Sequence, residues 1–171
     1  MIEKVRGFVL ISGPGIETHR LKKNEIIPAG ATLTTGATAE LHLTMKDGAR
    51  LMIQKNSQVA LLNYVDGSWA WRLMEGVLRS VTGLMGHLNR QGPRVEWETY
   101  VIGPRGTDHA VMIVPRGDKH FAPGMYNRVF SGATFIENEK GRVDLQAGDV
   151  GFAPEAGGAP VRVPEGPAFK F

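Results

Sequence analysis

The chain has 171 residues, with 22 Gly, 10 Pro and no Cys; the missing cysteine excludes disulfide scaffolds, thiolate metal sites and thiol nucleophiles, while the Gly and Pro excess implies many turns between short elements. Twenty Lys and Arg against 17 Asp and Glu leave a net charge of +3, and those charges are scattered, so no nucleic-acid footprint is expected. No stretch approaches the ~20 apolar residues of a membrane span, and the length suits one domain with a sizeable core.

In chain order, residues 7–11 read as a strand closed by the turn Gly13-Pro14-Gly15. The run from His19 to Lys23 reads as a solvated turn, because Glu25 soon offsets its charge. Pro28-Ala29-Gly30 punctuates the chain before a strand over 31–36. From Ala39 to Met45 apolar residues fall at every second position, with Glu40, His42 and Thr44 on the other face, which is the pattern of a half-buried strand. Asp47-Gly48 follows, a strong hairpin signal because both residues tolerate positive φ, and Arg50 opens a partner strand through Ile53. Asn56-Ser57 breaks it. Strands are expected over 58–62 and 68–73 around an Asp66-Gly67 turn. Over 74–88 the apolar spacing alone suits a helix, but Gly76 and Gly83 and the β-branched Val77, Val81 and Thr82 oppose one, so a strand over 74–82 and then a loop or helical turn over 83–92 are expected. Gly103-Pro104-Arg105-Gly106-Thr107-Asp108 reads as a dense polar turn. Residues 129–137 form a strand interrupted at Gly132, and 142–145 its neighbour after Glu139-Lys140-Gly141. Pro154, Pro160, Pro164 and Pro167, interleaved with glycines, make 154–171 an extended tail beyond a β domain over 1–153. Turn signals about every ten residues are the all-β signature.

No catalytic set is legible: there is no Gly-x-Ser-x-Gly elbow, and Ser12-Gly13-Pro14-Gly15 lacks the Lys-Ser/Thr ending of a phosphate loop. No cofactor is expected. The five histidines include no pair at the spacing that places two ligands on one helix face. His42 and Glu40 share a strand face, and His109 and His120 flank a hairpin and could approach each other, but no third ligand presents itself. Arg105 and Asp108 either brace the turn, the Arg fork on backbone carbonyls and Asp108 in an Asx-type turn, or hold an ion. Trp69 and Trp71 lie on one face of a strand. If that face is core they are packing residues; if exposed, they form a sugar-stacking or protein-contact patch.

The ordered set Gly7 and Gly13, Gly30 through Gly36, Asp47-Gly48, Asn56-Ser57, Glu75-Gly76-Val77-Leu78-Arg79-Ser80-Val81-Thr82-Gly83, Arg105-Gly106-Thr107-Asp108, and Gly132 with Gly148 resembles a FecR-type domain over residues 5–153. Pro104 stands where that pattern has an aliphatic residue and His109 where it has an aromatic one, and the stretch 115–127, carrying Arg116, Asp118, Lys119 and His120, is longer than a minimal hairpin. The resemblance implies a β-helix-like or sandwich-like stack of short strand pairs. It also implies a non-enzymatic module of the cell envelope, periplasmic or secreted, that binds an envelope protein in a signalling setting; a polysaccharide ligand on the tryptophan face is the alternative. FecR-like proteins join such a periplasmic domain to a cytoplasmic anti-sigma segment and one membrane span. Residues 1–7 do not open a signal peptide, so the compartment is an expectation resting on the resemblance alone.

Overall fold

The computed structural model describes residues 1–65, 68–82 and 93–171, for Val65, Pro104 and Arg105 the backbone alone. Asp66-Gly67 and 83–92, where a turn and a loop are expected, lie outside the described residues. The described residues form fifteen strands: β1 Ile2–Arg6, β2 Val9–Gly13, β3 Ile16–Arg20, β4 Thr32–Thr35, β5 Glu40–Thr44, β6 Arg50–Ile53, β7 Gln58–Val65, β8 Ser68–Glu75, β9 Val77–Val81, β10 Arg94–Trp97, β11 Tyr100–Val114, β12 Gly124–Asn138, β13 Gly141–Gln146, β14 Val150–Pro154 and β15 Val161–Val163. The chain is all-β, as expected, in one mixed sheet that does not close into a barrel. Neighbours are antiparallel except β8 and β10, which run parallel with Arg94 beside Ala70.

The register divides this sheet into two leaves. In the first lie β1, β5, β6, β9, the second half of β11, the first half of β12, β14 and β15. The other contains β3, β2, β4, β7, β8, β10, the first half of β11, the second half of β12 and β13. Both feed one apolar core, with Leu41, Leu51, Leu78 and Val111 from the first leaf and Ile11, Leu33, Trp71 and Ile102 from the second. Alternation places them there: in β5, Leu41 and Leu43 are buried while Glu40, His42 and Thr44 face outward.

The chain passes between leaves at tight corners. Gly76, at φ 85°, joins β8 to β9, and a Cβ added there would sit 2.1 Å from the Ser57 hydroxyl oxygen. That buried hydroxyl accepts a bond from the Val77 N–H at 2.9 Å, and the Ser57 N–H donates to the Thr35 hydroxyl at 2.9 Å. The Asn56-Ser57 break is therefore a corner, with Asn56 itself at φ 52°. Asp47-Gly48 forms its hairpin, with Gly48 at φ 82° and its N–H on the Met45 carbonyl.

The strand expected over 74–82 is broken at the Gly76 corner between β8 and β9, and segments toward both ends of the chain also differ from expectation. The basic run expected as a turn contributes His19 and Arg20 to an edge strand, β3, because Leu10 and Ile11 of β2 offer it a backbone ladder. Nor does the tail run free: β15 pairs with β14, the Tyr100 hydroxyl sits 2.9 Å from the Pro154 carbonyl and 2.7 Å from that of Gly158, and the boundary drawn after 153 falls inside β14. Pro160 and Pro167 are buried, so the tail's prolines are packing residues as well as ladder breakers.

Candidate functional site

The Arg105-Gly106-Thr107-Asp108 block is part of a strand, not a loop turn. In β11 it forms the point where the long β11/β12 hairpin bends from one leaf into the other. Arg105 pairs with Ala133, Asp108 with Ser131 and His109 with Val129, so the ladder slips on both sides of Asp108. Bulges of this kind are how strands switch sheets. Gly106 (φ 59°) and Gly132 (φ 74°) face each other there, and a Cβ on Gly132 would lie 2.2 Å from the Gly106 carbonyl oxygen. Thr82 ties the corner to β9: its hydroxyl donates to the Thr107 carbonyl at 3.0 Å, and its N–H donates to the same oxygen at 2.8 Å. Of the pair read as either a turn brace or an ion site, Asp108 is committed to Arg79, which grips it through Nε at 2.8 Å and through a terminal nitrogen at 2.7 Å. That carboxylate holds the Arg79 guanidinium above its ordinary range. Arg105 is placed by its backbone opposite Ala133.

His109 points into the core and is fully buried. Its Nδ1 lies 2.9 Å from Asn127 Oδ1, and Asn127 Nδ2 donates to the Thr134 hydroxyl at 2.8 Å. That arrangement makes Nδ1 the protonated nitrogen, leaving Nε2 an acceptor with no partner among the described residues. Burial lowers the imidazole's pKa, opposed more weakly by the Asn127 bond and the charge of Asp108. His120 does not approach it. His120 stands exposed in the turn beyond the Val114–Gly124 pair, five strand positions or about 16 Å along the hairpin, where Asp118 accepts its backbone N–H at 2.8 Å.

The tryptophan face is core. Trp69 and Trp71 are 0% and 1% exposed, so no sugar can stack on them and the polysaccharide alternative loses its surface. His42 and Glu40 do pair, at 2.6 Å, and Lys4 joins the same carboxylate at 2.9 Å. These two bonds hold Glu40 below the usual carboxylate range, Lys4 contributing more than His42. Among the described residues no group of three potential metal ligands forms.

What the sequence did not reveal is the outward face of the first leaf. Arg79, Val81, Arg50, Met52 and His42 stand on it in adjacent register. They line, with Asp108, a groove of about 300 Å³. Beside the groove the Arg79 guanidinium carbon sits 4.8 Å from the ring centre of Phe130 and 5.2 Å from that of Phe171, the two rings meeting edge to face. Farther along the same face Val114, Tyr126 and Val150 form a second apolar cluster, covered by Phe121, Val163 and Phe169. The alternation Val77, Arg79, Val81 against buried Leu78 and Ser80 signals which side Arg79 takes; its meeting with Asp108 depends on a non-local register.

Comparison with known proteins agrees on the architecture. No protein-family profile and no curated protein matches the chain. Two crystal structures, at 1.65 and 2.50 Å, of a candidate anti-sigma factor from Parabacteroides distasonis ATCC 8503 superpose with TM-score 0.61 at 10% identity. The likeness is one of fold. It takes in 77% of this chain, which spans 58% of the length of those chains.

Proposed function

We propose that this chain is a non-enzymatic, protein-binding module of a FecR-like regulatory system that works in the cell envelope. The fold likeness to a candidate anti-sigma factor over 77% of the chain carries the reading. Its support from the residues is the location of the most specific FecR-like block, Arg105 to Asp108, at the corner on which both leaves depend. Here the motif's residues build the scaffold, through the Arg79–Asp108 pair and the Gly106–Gly132 approach. Function then belongs to surfaces the scaffold displays.

The test is site-specific photocrosslinking in the source organism, with the probe placed in turn at exposed Phe8, Met74 and Arg128, followed by mass spectrometry of adducts and protease accessibility of the intact cells' envelope. A recurrent adduct with one regulatory or receptor protein, on a chain shielded by the outer envelope or released outside it, supports the reading. Folded, correctly expressed chain that gives no protein adduct, or that resides in the cytoplasm, overturns it.

A further inference from the structure

The tail is held differently along its length. Up to β15 it is anchored by a ladder and by the bonds to Gly158, one from the Tyr100 hydroxyl at 2.7 Å and one from Asn138 Nδ2 at 2.9 Å. Residues 164–171 make no hydrogen bond to any described residue. They are seated by side chains only, Phe169 over the second apolar cluster and Phe171 on Phe130 and Arg79. Backbone approach is close: a Cβ on Gly166 would lie 2.8 Å from Val150 Cγ1. This is how an extended Pro-rich peptide is taken by an aromatic-lined surface, with side-chain anchors and little ladder. Phe130 and Phe171 nevertheless remain 38% and 43% exposed, so the terminal anchor is the loosest part of the seat.

Arg79 lines the groove and also bears on the Phe171 ring, so it belongs to both. Its charges are mostly spoken for: Asp108 by Arg79, Glu3 by the Thr44 hydroxyl, His42 by Glu40. Arg50 forms no ion pair among the described residues and lines the groove together with Met52 and Val81. Met52 and Arg79 are register partners on neighbouring strands, with Arg50 two residues along. Arg50 is thus about 8 Å from Arg79, a span of two or three extended residues.

We infer that the outer face of the first leaf is a docking site for an extended segment of a protein partner, carrying an aromatic residue for the Arg79–Phe130 seat and an acidic side chain two or three residues later for Arg50, and that residues 164–171 occupy the aromatic half as an internal competitor. The inference rests on the protein-binding reading above and names its surface. Displacing the tail breaks no hydrogen bond, so a partner peptide gains the seat for the loss of side-chain contacts alone. Residues 164–171 make no ion pair with Arg50, so the acidic contact decides the exchange in the partner's favour.

The experiment uses the full chain and a fluorescein-labelled peptide of residues 164–171 extended by Gly-Glu, read by fluorescence anisotropy. Replacing both anchors, Phe169→Ala with Phe171→Ala, frees the seat, and the labelled peptide should bind that variant about tenfold more tightly than it binds the intact chain. Arg50→Glu in the freed variant should weaken binding about tenfold, and the same peptide ending in Gly-Gln should show little dependence on Arg50. Phe171→Ala alone, at a half-exposed position, keeps the comparison available if the double variant unfolds. Equal binding by intact and freed chains, indifference to Arg50, or no saturable binding to a folded variant overturns the inference. Crosslinking to a partner elsewhere on the surface would leave the protein-binding reading standing in each of those cases.

Discussion

Protonation of His109 gives the sharpest prediction. The ring is wholly buried, its Nδ1 committed to Asn127 and its Nε2 without a partner among the described residues, and burial lowers its pKa. Above the unfolded-state pKa near 6.5 the imidazole is neutral in both states and pH has no effect through it. As pH falls below that value the unfolded chain takes up a proton that the folded chain refuses, and stability declines by up to about 1.4 kcal/mol per pH unit. Between pH 7 and pH 5 the loss is bounded at about 2 kcal/mol, the limit for a ring that stays neutral when folded. His19 works in the opposite sense, because bonds to the Glu17 carbonyl and Glu25 raise its pKa, so the reading must be differential. Urea unfolding of the chain and of His109→Phe, at pH 7 and pH 5, isolates the term. The substitution places an aromatic ring in the same cavity and strips one partner from Asn127, so its stability at pH 7 is expected to drop by about 1 to 3 kcal/mol. Its decline between the two pH values should be smaller than that of the original chain, by at most about 2 kcal/mol. Parallel pH profiles would refute the assignment of a buried neutral imidazole.

Gly76→Ala forces a Cβ to within 2.1 Å of the Ser57 hydroxyl at φ 85°, and a loss of about 2 to 4 kcal/mol is expected in denaturant melts. Asp108→Asn removes the charge on which Arg79 closes its two bonds and should cost about 1 to 3 kcal/mol by the same measurement, with only a weak dependence on salt. Because Trp69, Trp71 and Trp97 are all at most 5% exposed, intrinsic fluorescence should be blue-shifted and resist acrylamide, and no polysaccharide should quench it; strong quenching of the folded chain would place a tryptophan at the surface.

The strand grammar was legible because it is local. Period-two alternation in β5 and the Asp47-Gly48 turn concern residues a few positions apart, and each element appears where the pattern puts it. Gly132 was legible as an interruption and is one, at φ 74°. The block at 103–108 misled because polar residues and glycines mark a turn and a bulged corner with the same letters; only the facing strand, some 25 residues later, distinguishes them. The tryptophan pair was left open for the same reason: alternation says that Trp69 and Trp71 share a face, and not which face. Composition marked 154–171 as an extended tail; Val161–Val163 nevertheless joins a ladder, and Phe169 and Phe171 show that the stretch without one can still be packed. The Arg79–Asp108 and Arg79–Phe171 meetings join residues 29 or more apart and have no local signature.

The bent β11/β12 hairpin also governs the order in which the molecule can be assembled. Each of its strands supplies a middle strand to both leaves. Short hairpins such as β5/β6 and β7/β8 can form as soon as they are synthesised, but β9 and β10, paired on one side with β6 and β8, wait for their other partner on β11, which ends at residue 114, and β11 in turn waits on β12. Closure over such sequence separations is slow relative to local pairing. The two leaves therefore form a single cooperative unit rather than two subdomains, and a fragment ending before residue 124 would carry an unpaired β11 edge fifteen residues long.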